Sequence, residues 1–195
     1  HNLVQFAIMG SAFSRFLQNI DRPTVGLLNV GEEDQKGFDY LRAAAETLRR
    51  DDLPVNYVGF VEGSDFSSGT VDVIVTDGFT GNIALKTAEG VAQLVRAFLR
   101  RAFAANIFTK TAYLFARPAL ARVRSMINPN AYNGAVFLGL NGISVKSHGG
   151  TNAFGYANAI GVAADMVKNG YLPEVSQAIA KANLILNEEK RDENG

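Results

Sequence analysis

The sequence contains no cysteine, which removes disulfides, thiolate nucleophiles and cysteine-based metal sites together and leaves a reducing cytoplasm as the expected setting. Histidine is nearly as scarce: His1 and His148 are the two present, too few to build a histidine-rich metal motif. There is no Gly-x-Ser-x-Gly elbow, the usual frame for Ser-His-Asp hydrolysis. Neither the GxGxxG nor the Walker A nucleotide fingerprint occurs. The longest uncharged stretch, Ser125 to Val145, is broken by Pro129, several Asn, and Gly134, Gly139 and Gly142, so no segment is expected to span a membrane. The opening residues, His1-Asn2-Leu3-Val4-Gln5, lack both a charged segment leading an apolar one and a cleavage site, so no signal peptide is expected.

Acidic residues are also missing from the whole interval between Glu89 and Asp165. Net charge is zero, with 19 Lys plus Arg against 19 Asp plus Glu, but the balance hides a strong asymmetry. Arg96, Arg100, Arg101, Lys110, Arg117, Arg122 and Arg124 crowd one region and Lys146 follows, so this part of the molecule is expected to attract anions. With 195 residues and 47% hydrophobic composition, the chain is long enough for one domain with a sizeable core.

The periodicity predicts a helix over 3–20, ending before Arg22-Pro23. Thr24 to Val30 is an apolar run without alternation, as in a strand covered on both faces. A polar turn from Gly31 to Gly37 leads to a helix over 38–50. Strands are expected at 55–60 and 71–76. Asp77-Gly-Phe-Thr-Gly81 then reads as a turn into a long amphipathic helix beginning near Asn82. A second helical stretch carries Phe108, Ala112, Phe115, Ala119 and Val123 at helical spacing, broken or kinked near Pro118. Strands at 135–139 and 142–146, a glycine turn over 147–152, and helices over 153–168 and 173–187 complete the pattern. Strands alternating with helices predict an α/β fold: a largely parallel sheet with helices on both faces, binding ligands beyond the carboxyl ends of its strands.

Three strand-to-helix turns share one design: Asn29 to Gly37, Asp77 to Asn82, and Lys146 to Asn152. Glycines such as Gly31, Gly78, Gly81 and Gly149 let the backbone approach an anion, while helix N-termini supply free N–H groups and partial positive charge. Lys36, Lys86 and Lys146 lie in or beside these turns. Each residue also has a plainer reading. Any one Lys could be a solvated side chain, His148 a hydrogen-bonded structural residue, and Asp77 a cap of the turn or of the following helix. Asn82 could likewise be a cap, or its amide could donate to a carbonyl oxygen.

The runs Leu3 to Gly10, Val25 to Glu33 with Lys36-Gly37, Val61-Glu-Gly63, Val71 to Asn82 with Leu85-Lys86-Thr87 and Glu89-Gly90, and Val145 to Gly149 resemble the PlsX family of fatty acid and phospholipid synthesis proteins. The resemblance runs from end to end in the family's order, and Val-Thr-Asp-Gly-Phe-Thr-Gly-Asn is its most specific stretch. The family's N-terminal portion, with its first strand and glycine-rich turn, has no counterpart here. The expectation is therefore a single α/β domain over 1–195, incomplete at its N-terminus and by itself inactive or dependent on a missing segment.

The resemblance implies a Rossmann-like fold akin to isopropylmalate dehydrogenases and phosphotransacetylases. It implies a homodimer, cytoplasmic and peripherally attached to membrane, that transfers an acyl group from acyl carrier protein to inorganic phosphate without cofactor or metal. By this analogy Lys36 serves phosphate or the oxyanion and Asn82 positions the carbonyl. His148 is a further catalytic candidate, and Gly31, Asp77, Gly78, Thr80, Gly81, Lys86, Lys146 and Gly149 surround the phosphate. The basic region over 96–127 is expected to project as a helical hairpin, with Arg100, Arg101, Lys110, Arg117, Arg124, Phe108 and Phe115 meeting acyl carrier protein and anionic lipid. An acyl-CoA-dependent phosphotransacetylase would use much the same anion site. A non-catalytic membrane or nucleic-acid binding module would use the basic helices alone and leave the glycine turns unexplained; nucleic acid is not an expected partner.

Overall fold

The computed structural model describes residues 2–126, 128 and 130–192; His1, Pro129 and Ile127, the expected end of the basic region, lie outside them. Helix α1 (Asn2–Gln18) opens the chain and stops where Asn19 turns left-handed at φ 56°, a conformation Asn tolerates better than most residues. Strand β1 (Thr24–Leu28), helix α2 (Asp39–Leu48), strand β2 (Asn56–Val61), a short 3-10 turn (Gly63–Ser67) and strand β3 (Val73–Val75) follow. The three strands form a parallel sheet in the order β2-β1-β3.

The alternation of strand side chains explains how helices cover this sheet. Val25 and Leu27 of β1 share one buried cluster with Phe60 and Val75 of the neighbouring strands, with Leu3, Val4, Ala7 and Ile8 of α1, and with Leu41, Ala44, Ala45 and Leu48 of α2. Ala182 of α6 (Tyr171–Asp192) completes it. The expected α/β architecture with a parallel, helix-flanked sheet is thus present. At the sheet margin the Asp72 carboxylate accepts the Thr24 backbone N–H and its hydroxyl, both at 2.7 Å, pinning the start of β1 to β3.

Beyond β3 the chain forms two long helices, α3 (Gly78–Ala104) and α4 (Ile107–Met126), which pack against each other with the Phe103 and Tyr113 rings edge to face at 5.4 Å. No α3 residue is buried, and a helix of this length runs about 40 Å. This is the expected hairpin. The helix is not broken at Pro118, since α4 passes through it as a single helix. Proline removes one backbone donor there, but the carbonyl it leaves, on Leu114, sits on an exposed turn where solvent can serve it.

The final part is less sheet-like than its sequence suggests. Strands β4 (Ala135–Val136) and β5 (Val145–Lys146) are two residues each and pair antiparallel in a sheet of their own. Helix α5 (Ala153–Lys168) and α6 pack over this hairpin and α1 through a second cluster holding Met9, Ala12, Met166, Tyr171 and Val175. Among the described residues, no helix is long and apolar enough to cross a membrane.

Candidate functional site

The order β2-β1-β3 sends the chain from β1 to a neighbour on one side and then back past it to the other. This reversal opens a crevice at the carboxyl ends of β1 and β3, the place where open α/β sheets bind ligands. The first two glycine turns follow these two strands and therefore share that edge.

In the first turn a buried polar residue sets the backbone. Asn29, 8% exposed, accepts the Val30 N–H on Oδ1 at 2.9 Å, donates Nδ2 to the Lys36 carbonyl at 3.1 Å, and gives its own N–H to the Val61 carbonyl at 2.8 Å. Gly37 is required beside it, since its φ is +83° and a Cβ there would lie 2.1 Å from Asn29 Oδ1. The Lys36 side chain lies over the Gly31 backbone, where a Cβ would meet its Cδ at 2.4 Å. Its Nζ meets Glu33 Oε1 at 2.8 Å, with both side chains half exposed. The Glu33 carboxylate, through this hydrogen bond and then through its charge, holds Lys36 above the ordinary lysine value, and Lys36 in turn lowers Glu33. Lys36 is a fixed cation on a glycine floor.

The second turn corrects the sequence expectation. Helix α3 starts at Gly78 rather than near Asn82, because Asp77 is its N-cap: Oδ1 accepts the Phe79 and Thr80 N–H groups, both at 2.9 Å. Gly78, Thr80 and Gly81 thus form the helix's first turn, and Gly81 lies against Thr76, whose Cγ2 a Cβ would approach to 2.6 Å. Hydrogen bonds from Thr80 are the main reason the Asp77 carboxyl is held below its ordinary value. Two donors of the helix start are therefore already taken by a carboxylate, so an incoming anion depends here on nearby cations. Asn82 and Lys86, four residues apart, share one exposed face of α3; Lys86 pairs with Glu89 at 3.3 Å.

A cleft of about 490 Å³ lies between α1, α2 and the start of α3, lined by Asn2, Leu3, Phe6, Tyr40, Ala44, Asp77 and Gly78. Burial, and then the Asp77 charge facing it, raises the Tyr40 hydroxyl above its usual value. Tyr40 stacks on Phe38 with centroids 5.6 Å apart. A larger cleft of about 810 Å³ between α1 and α6 holds Arg15, Glu174 and Lys181 but none of the three turns.

The third turn is built separately. Asn133, 7% exposed, reaches into it from the segment before β4, accepting the His148 N–H and donating to Ser147 Oγ. Asn130 accepts the Thr151 hydroxyl at 2.8 Å, and Asn152 caps α5 by accepting the Gly155 N–H at 3.0 Å. These bonds tie the turn to the β4–β5 hairpin and α5, and not to the first two turns. Lys146, His148 and Gly149 are exposed. The basic and aromatic hairpin candidates, Arg100, Arg101, Lys110, Arg117, Arg124, Phe108 and Phe115, are exposed too, with Phe108 and Phe115 above 80%. Among the described residues there is no group of His, Asp or Glu suited to a metal ion. Tyr40, Asn130 and Asn133 escaped the sequence reading, and Asn29 entered it only as the first residue of its turn. An Asn closing an apolar strand just ahead of a glycine, as at Asn29, and the Asn133-Gly134 pair were the available signals.

A family model described as fatty acid synthesis protein matches residues 1–173. The chain is 57% identical over 171 residues to the phosphate acyltransferase of Paramagnetospirillum magneticum, covering 88% of this chain and 49% of that protein. It is 51% identical over 185 residues to the phosphate acyltransferase of Rhodospirillum rubrum, covering 95% and 53%. To that of Rhodospirillum centenum it is 55% identical over 185 residues, covering 95% and 52%. The chain spans about half the length of the curated relatives it matches.

Proposed function

This chain belongs to the fatty acid synthesis protein family, and from that membership we propose that it carries the anion-binding part of an acyl-[acyl carrier protein]:phosphate acyltransferase. The observation that carries the reading is that the turn holding Lys36 over Gly31 and the turn that starts α3 follow neighbouring parallel strands, β1 and β3, at the edge where the sheet order reverses.

In this reaction an oxygen of inorganic phosphate attacks the thioester carbon of the acyl carrier protein's prosthetic arm. The C–O bond forms, the carbonyl oxygen becomes an oxyanion, and the C–S bond breaks as the electron pair leaves on sulfur, which takes up a proton. The products are acyl phosphate and the free thiol. No enzyme nucleophile is needed; what is needed is positive charge to hold phosphate and a donor for the oxyanion. Lys36 supplies the charge, helped by Lys86 and Lys146, and the exposed Asn82 amide supplies the donor. The Glu33 partner holds Lys36 in place until phosphate competes for its ammonium. Gly31, Gly78, Thr80, Gly81 and Gly149 give the backbone surface, and Asp77 fixes the helix start beside it.

The same reading extends to partners and location. Membrane contact is supported by the α3–α4 hairpin, whose exposed Phe108, Phe115 and Val123 accompany seven cations and no acid over 96–124; a cytoplasmic homodimer comes to this reading from the family resemblance alone. In the full-length protein, Lys36→Ala and Asn82→Ala are each expected to cost about tenfold to a thousandfold in turnover. Near-normal activity in both would remove the site.

A further inference from the structure

We infer that Asn133 is the positioning residue of the third turn, and that the turn it holds presents His148 as a neutral imidazole with its proton on Nε2, a donor to an anionic oxygen of the reaction and not a proton acceptor. This rests on the reading above, in which Lys146 and Gly149 of the same turn serve the phosphate.

Asn133 uses both ends of its amide. Oδ1 accepts the His148 N–H at 2.9 Å, while Nδ2 donates to Ser147 Oγ and the Gly155 carbonyl, both at 2.8 Å, with Thr151 Oγ1 at 3.3 Å. The orientation is unambiguous. Flipping the amide would set its N–H against the His148 N–H and its oxygen against the Gly155 carbonyl. One buried side chain therefore ties the residues flanking His148 to the first turn of α5. Gly155 leaves room for this, as a Cβ there would lie 2.2 Å from Thr151 Oγ1.

The held backbone then decides the state of the ring. The Gly150 N–H donates to His148 Nδ1 at 3.0 Å, so that nitrogen offers its lone pair and carries no proton. In the neutral ring the proton is on Nε2, and the imidazole is exposed. In this tautomer Nε2 has no lone pair with which to deprotonate a substrate, and taking a proton on Nδ1 would break the Gly150 bond.

The test is nitrogen-15 NMR of the His148 ring in the full-length protein under mildly alkaline conditions, together with the turnover of four variants. The expected spectrum shows a protonated Nε2 and a bare Nδ1, with Asn133→Ala and Asn133→Asp shifting the ring toward a tautomer mixture. His148→Gln, whose amide N–H can stand near Nε2, is expected to keep turnover within about tenfold of the parent, while His148→Ala loses about tenfold to a thousandfold. If the loss is a raised KM for inorganic phosphate the oxygen belongs to phosphate, and if it is in kcat the oxygen is the thioester oxyanion; either supports the inference. A dominant Nδ1–H tautomer overturns it, as does a His148→Gln variant no better than His148→Ala. Full turnover in His148→Ala would instead overturn the reading that this turn belongs to the site, whatever the tautomer.

Discussion

Asp77 holds two positions that conflict in an anion site: it is a carboxylate at the edge of the crevice and the residue that starts α3. The capping geometry identifies what each contributes. Asp77→Asn keeps an oxygen for the Phe79 and Thr80 N–H groups and removes the charge, so stability is expected to stay within a few tenths of a kcal/mol, whereas Asp77→Ala is expected to cost about 1 kcal/mol in urea unfolding. The pH dependence follows from the lowered native value of Asp77. Its contribution is complete above the unfolded value near 3.9 and is lost as pH falls through the native one, so Asp77→Asn is expected to blunt acid unfolding. Tyr171 gives a prediction of opposite sign. It is 3% exposed between the edges of Phe13 and Phe16, its hydroxyl finds no hydrogen-bond partner among the described residues, and burial pushes that hydroxyl up to about 12. Tyr171→Phe removes a polar group buried without compensation, so it is expected to unfold at equal or higher urea concentration, by up to about 1–3 kcal/mol. Marked destabilisation would contradict that account.

At the scale of elements, the sequence was most legible where a hydrophobic pattern meets a sharp break. Apolar spacing placed α1, α2 and α5, and the unalternating run from Thr24 placed β1. It was least legible at the start of α3 and around the third turn. The start of α3 was read four residues late because Gly78 and Gly81 look like turn residues, and only the reach of the Asp77 carboxylate to Phe79 and Thr80 shows that the helix has already begun. The Asn133 network was invisible for a different reason, since its partners lie 14 to 22 residues away and no local pattern records them. The α3–α4 hairpin was foreseen from charge and spacing, and its exposed apolar residues are unpartnered by the rest of the described fold. A stripe so interrupted by Arg suits contact in the plane of a membrane interface, with each cation contributing about 1 kcal/mol near an anionic surface. In sedimentation with vesicles, the full-length protein is expected to bind anionic vesicles better than neutral ones, and the triple change Lys110→Glu, Arg117→Glu and Arg124→Glu to abolish the difference. Equal binding of both proteins to both vesicle types would leave the hairpin as a protein interface alone.

Over the whole molecule, charge and topology point the same way. The order of the parallel sheet sets Lys36 and the start of α3 at one edge, while the uncompensated cations lie on the hairpin that leaves the same helix. An acidic carrier protein approaching that face could meet positive charge over a wider surface than coenzyme A, itself a small anion, can cover. The two donors can thus be separated by experiment. The direct measurement supplies the full-length protein with labelled inorganic phosphate and a fatty acyl group presented either on acyl carrier protein or on CoA, and follows the label into acyl phosphate. The account predicts labelled acyl phosphate from the carrier-protein thioester, with kcat/KM at least tenfold above that for acyl-CoA. Equal or better use of acyl-CoA, or thioester cleavage without labelled acyl phosphate, would contradict it.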